Sequence, residues 1–377
     1  MFSKLKSVDL LLFLFPIMLW IIGCVVLWSL TFASTDIGTH NLAIKQVEFG
    51  VIGIISMIIL SLVDYRSLRS NVIIICVVTV ALLIAVELVG KTSLGATRWL
   101  DLKFFQLQPS ELAKMALIIT LSAFLSPRLD NPNFKTLFAA LFILIVPLGL
   151  VITQPDLGTA MILVAIFLGL IFMLKLRRAH YAVILISILL VLTASVLAFY
   201  RVAPFSNLLH DYQRNRVETF LNPESDPLGK GYNVRQAVIA IGNGGLWGKG
   251  LGQEVGHLSQ LNFLPKAYTD FIFAATAESV GFVGAALVLF VYAGIFWRII
   301  IAAVTAKDNF ANLICFGFSL MLLFSVLVNV GMNLGIMPVT GIPLPFISAG
   351  GTALIVNFML LGIIQSIIIR RKAIKFD

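Results

Sequence analysis

Long apolar runs dominate the chain, and short polar connections separate them. Ten of these runs are candidate spans, and several approach the roughly 20 residues that an α-helix needs to cross the hydrocarbon core of a bilayer. The runs are continuous and do not alternate in polarity, which favours helices over a membrane β-barrel. The predicted spans are residues 9–31, 46–63, 71–90, 108–126, 136–153, 156–174, 180–200, 268–297, 309–336 and 347–369.

The composition agrees with this pattern. Of the 377 residues, 59% are hydrophobic and only 12% are charged, whereas about a quarter of a soluble domain is charged. We therefore predict an all-α polytopic membrane protein that forms one transmembrane domain over residues 1–377. The net charge of +9 is typical of cytoplasmic loops rich in Lys and Arg, rather than of nucleic-acid binding.

The distribution of basic residues predicts the orientation. If the N-terminus is cytoplasmic, the cytoplasmic segments contain fifteen Lys and Arg residues, and the short loops on the other side contain four. The positive-inside rule then places both termini in the cytoplasm. The long polar segment at residues 201–267, between spans seven and eight, lies outside, since long loops cross the membrane regardless of charge. No phosphate-cradling GxxxxGK(S/T) motif is present.

The long polar segment is predicted to be a folded cap over a membrane-embedded site rather than a solvated spacer. Structureless loops of this length are uncommon, and the segment keeps aromatic and aliphatic residues without low-complexity tracts. A basic stretch around Arg214 and Arg216 predicts a short helix. Six glycines between Gly242 and Gly252 either expose N–H groups to an anion, with Lys249 among them, or form a tight fold.

Four charged residues near the starts of spans are candidate site residues, because charges within a membrane are costly and mark functional sites. Glu111 and Lys114 are three positions apart and share one helix face; a structural ion pair is the alternative. Asp270 lies where the eighth span begins, and Glu278 lies about two turns further along. Asp270 is either a helix cap or a partly desolvated carboxylate that abstracts a proton.

Three connections complete this picture. Residues 91–107 carry aromatic residues and Arg98, which suit the level of the lipid headgroups. Asp156 lies at a tight turn, where helix capping explains it. Three prolines and three glycines in residues 337–352 indicate irregular backbone, which membrane proteins tolerate only where protein buries it or where it lines a cavity. We therefore predict a cavity in the outer half of the bundle.

Six motifs together resemble the SEDS family (shape, elongation, division and sporulation), and its elongation branch more than its division branch. The resemblance extends over essentially the whole chain. The motifs are QPSELAK at 108–114, QPDLGTA at 154–160, FLNPESDPLGKGYN at 220–233, IAIGNGGLWGKGLG at 239–252, LPKAYTDFIFA at 264–274 and TGIPLPFISAGGT at 340–352.

The resemblance implies ten transmembrane helices and an activity on the outer face of the bacterial cytoplasmic membrane. Proteins of this family polymerise peptidoglycan glycan strands from lipid II, and the growing strand stays linked to undecaprenyl pyrophosphate. They act with a class B penicillin-binding protein, which is a single-span transpeptidase. We therefore expect an inverting, lipid II-dependent glycosyltransferase for cell elongation and rod shape, assisted by a divalent cation (Mg or Mn).

The resemblance also implies roles for individual residues. The essential aspartate of the family corresponds to Asp270, the expected catalytic base. The paired acidic and basic residues of the family correspond to Glu111 and Lys114. With these two, the charges in the sequence make Arg214, Arg216, Lys249 and Glu278 the expected substrate-binding residues. Three positions depart from the family pattern, which often has Glu, His and a second Glu at the places occupied here by Lys266, Tyr268 and Ser279.

Two other functions fit the same features. A lipid II flippase also needs an interior cavity, charged residues in spans and broken helices. Its polar path must reach both faces of the membrane, whereas the charges of these spans gather in the outer half. A non-catalytic scaffold for the transpeptidase is the third alternative. The placement of the charges favours the enzyme.

Overall fold

The computed structural model describes residues 8–32, 37–93, 96–101, 105–207, 209–226, 229–251 and 267–371. Within these ranges the chain forms thirteen α-helices and one small sheet. The helices are α1 (Leu10–Phe32), α2 (Ile37–Leu62), α3 (Arg66–Ser70), α4 (Val72–Val89), α5 (Pro109–Leu125), α6 (Phe134–Thr153), α7 (Leu157–Phe172), α8 (Arg178–Phe199), α9 (Asp211–Leu221), α10 (Lys230–Asn243), α11 (Ile272–Val304), α12 (Asn309–Asn333) and α13 (Gly351–Ile369).

Nine helices in the described ranges are long and apolar enough to cross a membrane, namely α1, α2, α4, α5, α6, α8, α11, α12 and α13. The remaining predicted span corresponds to α7, which has 16 residues. Its length of about 24 Å is less than the roughly 30 Å of a hydrocarbon core. The predicted fold class is confirmed: the chain is an all-α polytopic membrane protein.

The helices differ in how deeply they are buried. Most side chains of α5, α12 and α13 are buried, so these three helices form the centre of the bundle. Very few side chains of α8 are buried, so this helix lies at the periphery. Polar groups on the three central helices therefore face protein rather than lipid.

The connections gather at two ends of the bundle. The polar end carries the sheet, the long polar segment and the loop between α12 and α13. At the opposite, basic end, Arg298 of α11 donates to the buried carboxylate of Asp9. Gln365 of α13 donates to the Asp9 carbonyl at 2.7 Å and accepts from its N–H at 3.1 Å. This network joins α11 and α13 to the start of α1.

A three-stranded antiparallel sheet lies at the polar end, and the sequence analysis did not predict it. Its strands are β1 (Lys91–Ser93), β2 (Ala96–Asp101) and β3 (Gln106–Leu107), with β2 in the middle. The third strand ends two residues before α5 begins at Pro109. The sheet therefore connects α4 to α5 and carries Arg98 on its middle strand, β2.

The described part of the long polar segment contains two helices. The first, α9, includes the predicted basic helix and extends it to Leu221. The second, α10, was not predicted; its first N–H, that of Lys230, donates to the Asp226 carboxylate at 2.8 Å. Residues 252–266, which include Lys266, lie outside the described residues. That the segment caps a site stays a prediction.

Candidate active site

The loop between α12 and α13 is irregular, as the sequence predicts. Here we call residues 338–350 the proline loop. Proline has no N–H and clashes with the preceding helical turn, so Pro338, Pro343 and Pro345 prevent this stretch from being helical. Gly341 has a φ of 80°, a conformation that favours glycine. The surrounding protein must supply hydrogen-bond partners for such backbone at membrane depth.

Two asparagines on α12 supply these partners. Asn329 and Asn333 are one helical turn apart, and both have a relative exposure of 0%. The Asn329 amide donates to the Ile342 carbonyl at 2.8 Å and to the Asp270 carbonyl at 3.1 Å. The Asn333 amide donates to the same Asp270 carbonyl at 3.1 Å, and its oxygen accepts from the N–H of Ala274 at 3.0 Å. The hydrogen bonds of the two side chains thus link the start of α11 to the proline loop.

Asp270 lies at this junction. The N-cap of α11 is Phe271, without a side-chain capping bond, so Asp270 is not the cap of that helix. Its side chain is half-buried, and its Oδ2 lies 3.8 Å from the point where a Cβ on Gly341 would stand. Two further bonds, from Ser348 Oγ to the Thr269 carbonyl at 2.8 Å and from Ala349 N to Tyr268 O at 3.0 Å, hold the preceding residues.

Arg216 reaches the same loop from α9. Its Nη1 donates to the Thr340 carbonyl at 2.9 Å. Burial, and then the positive charge of Arg98, lower the pKa of Arg216, and Asp156 and Asp270 act in the opposite direction. One further guanidinium group and two carboxylates therefore lie within electrostatic reach of Arg216. Such a group of charges, beside irregular backbone, is suited to a charged substrate.

Asp156 connects Arg98 to the starts of α5 and α7. As the N-cap of α7, its Oδ1 accepts from the N–H of Thr159 at 3.2 Å, and its Oδ2 accepts from Ser110 Oγ at 3.2 Å. The predicted capping role is thus confirmed. Arg98 donates to the carbonyls of Gln154, at 3.0 Å, and Pro155, and its Nη1 is 3.9 Å from Asp156 Oδ1.

These contacts correct the interpretation of Arg98. The sequence analysis placed its side chain among lipid headgroups. In the structure the guanidinium turns inward, and the side chain is only 21% exposed. The reason is that its donors satisfy carbonyl groups at the turn between α6 and α7, which proline leaves outside any helix.

Glu111 and Lys114 form the ion pair that their spacing predicts. Lys114 Nζ lies 2.8 Å from Glu111 Oε1 and 2.7 Å from its Oε2, and both side chains are about 95% buried, with exposures of 5% and 4%. The pair lines a small cavity beneath the proline loop, together with Ser325 of α12 and Asn357 of α13. The Asn357 Oδ1 is buried and has no hydrogen-bond partner within the part of the chain that the structure describes. The predicted cavity therefore presents an ammonium group and an amide oxygen.

Arg214 lies apart from Asp270, although it is two positions from Arg216. Its Nη2 donates to the carbonyls of Ala198 at 2.8 Å and Ser206 at 3.4 Å, and its Nη1 is 3.4 Å from Asp211 Oδ1. These bonds fasten α9 to the end of α8. In the structure, Arg214 therefore links α9 to the end of α8 and the turn that follows it.

The glycine-rich run takes the second of its two predicted alternatives, a tight fold. The N–H of Lys249 donates to the Glu278 carbonyl at 3.0 Å, and the N–H of Gly250 donates to the Ser279 carbonyl at 3.0 Å. Both N–H groups are thereby used within the protein. Lys249 and Glu278 lie together at this crossing, and Glu278 has a relative exposure of 0%.

Two of the three positions that depart from the family pattern are packed within the protein. Tyr268 accepts a backbone hydrogen bond from Ala349 and packs against the core. Ser279 is buried, and its hydroxyl donates to the Ala275 carbonyl at 2.9 Å within α11. Lys266 lies outside the described residues.

The sequence analysis missed three polar residues that shape the site, namely Asn329, Asn333 and Asn357. The signal was available, since an amide within an apolar span is costly unless it is paired. Asn329 and Asn333 also have helical i, i+4 spacing, which places both on one face. Charged residues alone do not reveal this pattern.

The described residues contain no group of three or more His, Cys, Asp or Glu side chains that could hold a metal ion. A cation bound mainly by substrate oxygens and water needs only one or two carboxylates from the protein. The divalent cation therefore stays a prediction.

The fold and the site define a class: a polytopic membrane protein with an aspartate, two arginines and a buried ion pair gathered at one end of its bundle. The chain belongs to the FtsW/RodA/SpoVE family, since the family model, described as cell cycle protein, matches residues 9–373. The family that the motifs predict is thereby confirmed.

Relatives and solved structures agree with this assignment. The chain is 41% identical over 354 residues to the peptidoglycan glycosyltransferase MrdB of Escherichia coli (strain K12), covering 94% of this chain and 91% of that protein. It is similar to a chain solved in a peptidoglycan synthase complex, with a TM-score of 0.79 and 28% identity over 96% of this chain and 97% of that one. For the rod shape determining protein RodA of Thermus thermophilus, the TM-score is 0.68 with 25% identity, over 97% and 98%.

The buried ion pair leads to a prediction about stability. Lys114→Met leaves the Glu111 carboxylate buried without its partner, which should lower the free energy of unfolding by about 3–5 kcal/mol. The double variant Lys114→Met, Glu111→Leu removes both charges and should recover most of this loss. Thermal unfolding of the purified protein measures both effects.

The matched control is Lys175→Met. Lys175 pairs with Asp130 at 2.8 Å, but both side chains are largely exposed, at 77% and 70%. An exposed pair contributes about 0–1 kcal/mol, so this change should have little effect. Equal effects of Lys114→Met and Lys175→Met would contradict the importance of burial.

Proposed function

We propose that this chain is a peptidoglycan glycosyltransferase that polymerises glycan strands from lipid II on the outer face of the bacterial cytoplasmic membrane. The observation that carries the proposal is the half-buried Asp270 carboxylate beside Gly341, with Arg216 bound to the adjacent Thr340 carbonyl. The relative MrdB, which is named as such an enzyme, supports the proposal. The similarity to a rod shape determining protein supports a role in elongation.

The proposed reaction is one inverting displacement. The 4-hydroxyl of the GlcNAc of an incoming lipid II attacks the anomeric carbon of the MurNAc at the reducing end of the strand. The bond from that carbon to the undecaprenyl pyrophosphate oxygen breaks, and undecaprenyl pyrophosphate leaves. An α-linked donor and a β-linked product require a base on the attacking side and positive charge on the leaving side.

The positions of the side chains suggest how these roles are divided. Asp270 accepts the proton of the attacking hydroxyl. Arg216, with Arg98 near it, stabilises the negative charge of the leaving pyrophosphate, since a guanidinium group can bind phosphate oxygens through two N–H groups. Arg216 is favoured over Arg214 because the carbonyl that it binds, that of Thr340, lies in the proline loop beside Asp270. The carbonyls that Arg214 binds belong to α8 and the following turn.

Glu111 and Lys114 line the proposed substrate site on the inner side of the proline loop. The cavity that they line is bounded by Ile342, Leu344 and Phe346 of that loop. We assign Lys114 a contact with a polar part of the substrate and Glu111 the task of holding the ammonium group in place. Lys249 and Glu278 lie at the glycine crossing, and we assign them a structural role there.

The orientation and the partner belong to the proposal. The basic end faces the cytoplasm with both termini, because Lys and Arg gather there, and the polar end faces outward. A class B penicillin-binding protein then joins the strands that this chain makes. The similar chain solved in a peptidoglycan synthase complex supports such a partner.

The divalent cation is also proposed. Asp156 and Asp270 are carboxylates that act on the charge of Arg216, and the described residues build no cage of three ligands. A cation would therefore be held mainly by pyrophosphate oxygens and water, with at most one or two carboxylates of this chain. Its chemistry would be to offset the charge of the leaving group.

The base is tested by Asp270→Asn, which keeps the size of the side chain and removes its basicity. Loss of a well-placed base should lower the rate of strand synthesis by on the order of 10²–10⁴. The measurement is polymerisation of labelled lipid II by the purified protein with its transpeptidase. Glu218→Gln, which changes an exposed carboxylate on α9, should leave the rate unchanged.

If Asp270→Asn polymerised lipid II at the native rate, Asp270 would not be the catalytic base. Low rates from both variants would instead indicate a general effect of charge in the polar segment. The melting temperatures of both variants, measured on the same samples, are the control: equal values would show that the folded fraction is the same.

The leaving-group role is tested by comparing Arg216→Met with Arg214→Met. Loss of a charge-assisted contact is worth about 1.5–3 kcal/mol, so Arg216→Met should lower kcat by roughly 10–100-fold. Arg214→Met should lower the melting temperature, because it frees α9 from α8, while the rate per folded molecule stays near native. The opposite pattern would indicate that Arg214, and not Arg216, binds the pyrophosphate.

The cation is tested by removing it with a chelator. Polymerisation should stop and should return when Mg²⁺ or Mn²⁺ is added in excess. The melting temperature should stay unchanged on chelation, because the protein contributes few ligands to the ion. Full polymerisation in the presence of the chelator would contradict a role for a divalent cation.

A further inference from the structure

The turn that follows α10 crosses the side of α11 well below the start of that helix. We call residues 244–250 the glycine turn. The N–H of Phe282 donates to the Gly245 carbonyl at 2.8 Å, and the N–H of Val283 donates to the Leu246 carbonyl at 3.2 Å. A Cβ on Gly248 would stand 2.2 Å from the Ser279 carbonyl oxygen. The two backbones are therefore in direct contact at this crossing.

A kink in α11 makes this contact possible. Gly281 has a φ of 70° and a ψ of −173°, which interrupts the helical hydrogen bonding. A Cβ at this position would stand 2.2 Å from the N–H nitrogen of Gly248. The N–H groups of Phe282 and Val283, which the kink leaves without helical acceptors, donate to carbonyls of the glycine turn instead.

The crossing lies near one limit of the hydrocarbon core. Sixteen positions of α11 separate Gly281 from Trp297, which corresponds to about 24 Å of helix. Trp297 is 65% exposed and suits an interface between membrane and water. A hydrocarbon core is about 30 Å thick, so the glycine turn lies close to the opposite interface.

The surface of the turn is strongly apolar. Leu246 is 63% exposed and Trp247 is 79% exposed. Beside them on α11, Phe282 is 68% exposed, and further along the same helix Phe290 is 74% exposed. The exposed face of the turn is therefore continuous with the face that α11 presents to the membrane.

We propose that the glycine turn inserts into the adjacent membrane leaflet, with Leu246 and Trp247 at the boundary between headgroups and acyl chains. Continuity with the lipid-facing side of α11 identifies the occupant of this face as lipid. Tryptophan is enriched at such boundaries because its ring is apolar and its N–H is polar. The insertion anchors the polar segment and sets its height relative to the proline loop.

The test uses fluorescence quenching in vesicles of brominated phosphatidylcholine. The signal of Trp247 is the difference between the native protein and Trp247→Phe, a conservative change. Bromines placed high on the acyl chains should quench this difference signal strongly, and aqueous iodide should quench it weakly. Trp297→Phe gives a reference for a tryptophan on the exposed face of the same helix.

Two glycine variants show whether the crossing holds the turn in the membrane. Gly248 and Gly250 both have positive φ, of 79° and 88°, so alanine strains both in a similar way. Only at Gly248 would the new methyl group meet backbone, since nothing lies within 4 Å of the position at Gly250. Gly248→Ala should therefore lose most of the lipid quenching of Trp247, and Gly250→Ala should keep it.

Two results would overturn the proposal. Quenching of Trp247 by iodide and not by brominated lipid would place the turn in water. Lipid quenching that disappears when the partner transpeptidase is added would assign the face to a protein span. Lipid quenching that persists in the complex, and that Gly248→Ala removes, supports the proposal.

Discussion

Irregular backbone inside a membrane bundle needs hydrogen-bond partners from the protein, and this requirement governs the polar end of the molecule. Asn329 and Asn333 meet it by donating to the carbonyls of Asp270 and Ile342 from one face of a central helix. If these amides were lost, the Asp270 and Ile342 carbonyls would lose these donors, and the bonds from Ser348 and Ala349 to residues before Asp270 would hold the proline loop less firmly. The position of the proposed base therefore depends on two residues that take no part in the chemistry.

The proline loop then serves the two halves of the site. Its beginning, at Thr340 and Gly341, lies against Arg216 and Asp270. Its later residues form the wall of the cavity that contains the Glu111–Lys114 pair. A change in this loop would move both groups together. Prolines suit this function because they limit the conformations that the loop can take.

Continuous apolar runs were sufficient to predict the membrane-spanning helices, because the length and polarity of each span can be read from the sequence. The Glu111–Lys114 pair was predictable for a similar reason, since its partners are one helical turn apart. Arg98 was placed wrongly, because its acceptors at Gln154 and Pro155 are distant in sequence. Pairing across such separations, like the crossing of Gly248 and Gly281, leaves no local pattern.

The motifs predicted which family the chain belongs to, but not how its candidate residues are arranged. Arg214 and Arg216 look alike in the sequence, but the turn of α9 points them in different directions. Arg214 binds the end of α8, and Arg216 binds the proline loop beside Asp270. The substrate-binding role expected of Lys249 and Glu278 stays a prediction. In the structure the N–H of Lys249 donates to the Glu278 carbonyl where the glycine turn crosses α11.

The central claim is that this chain forms glycosidic bonds. The most direct measurement places the purified protein and its transpeptidase, with the transpeptidase site blocked, in vesicles that contain labelled lipid II. The account predicts long uncrosslinked glycan strands and no movement of lipid II between leaflets beyond that of empty vesicles. Rapid movement of lipid II without strands would contradict it and would identify a flippase. Neither strands nor movement would indicate a scaffold.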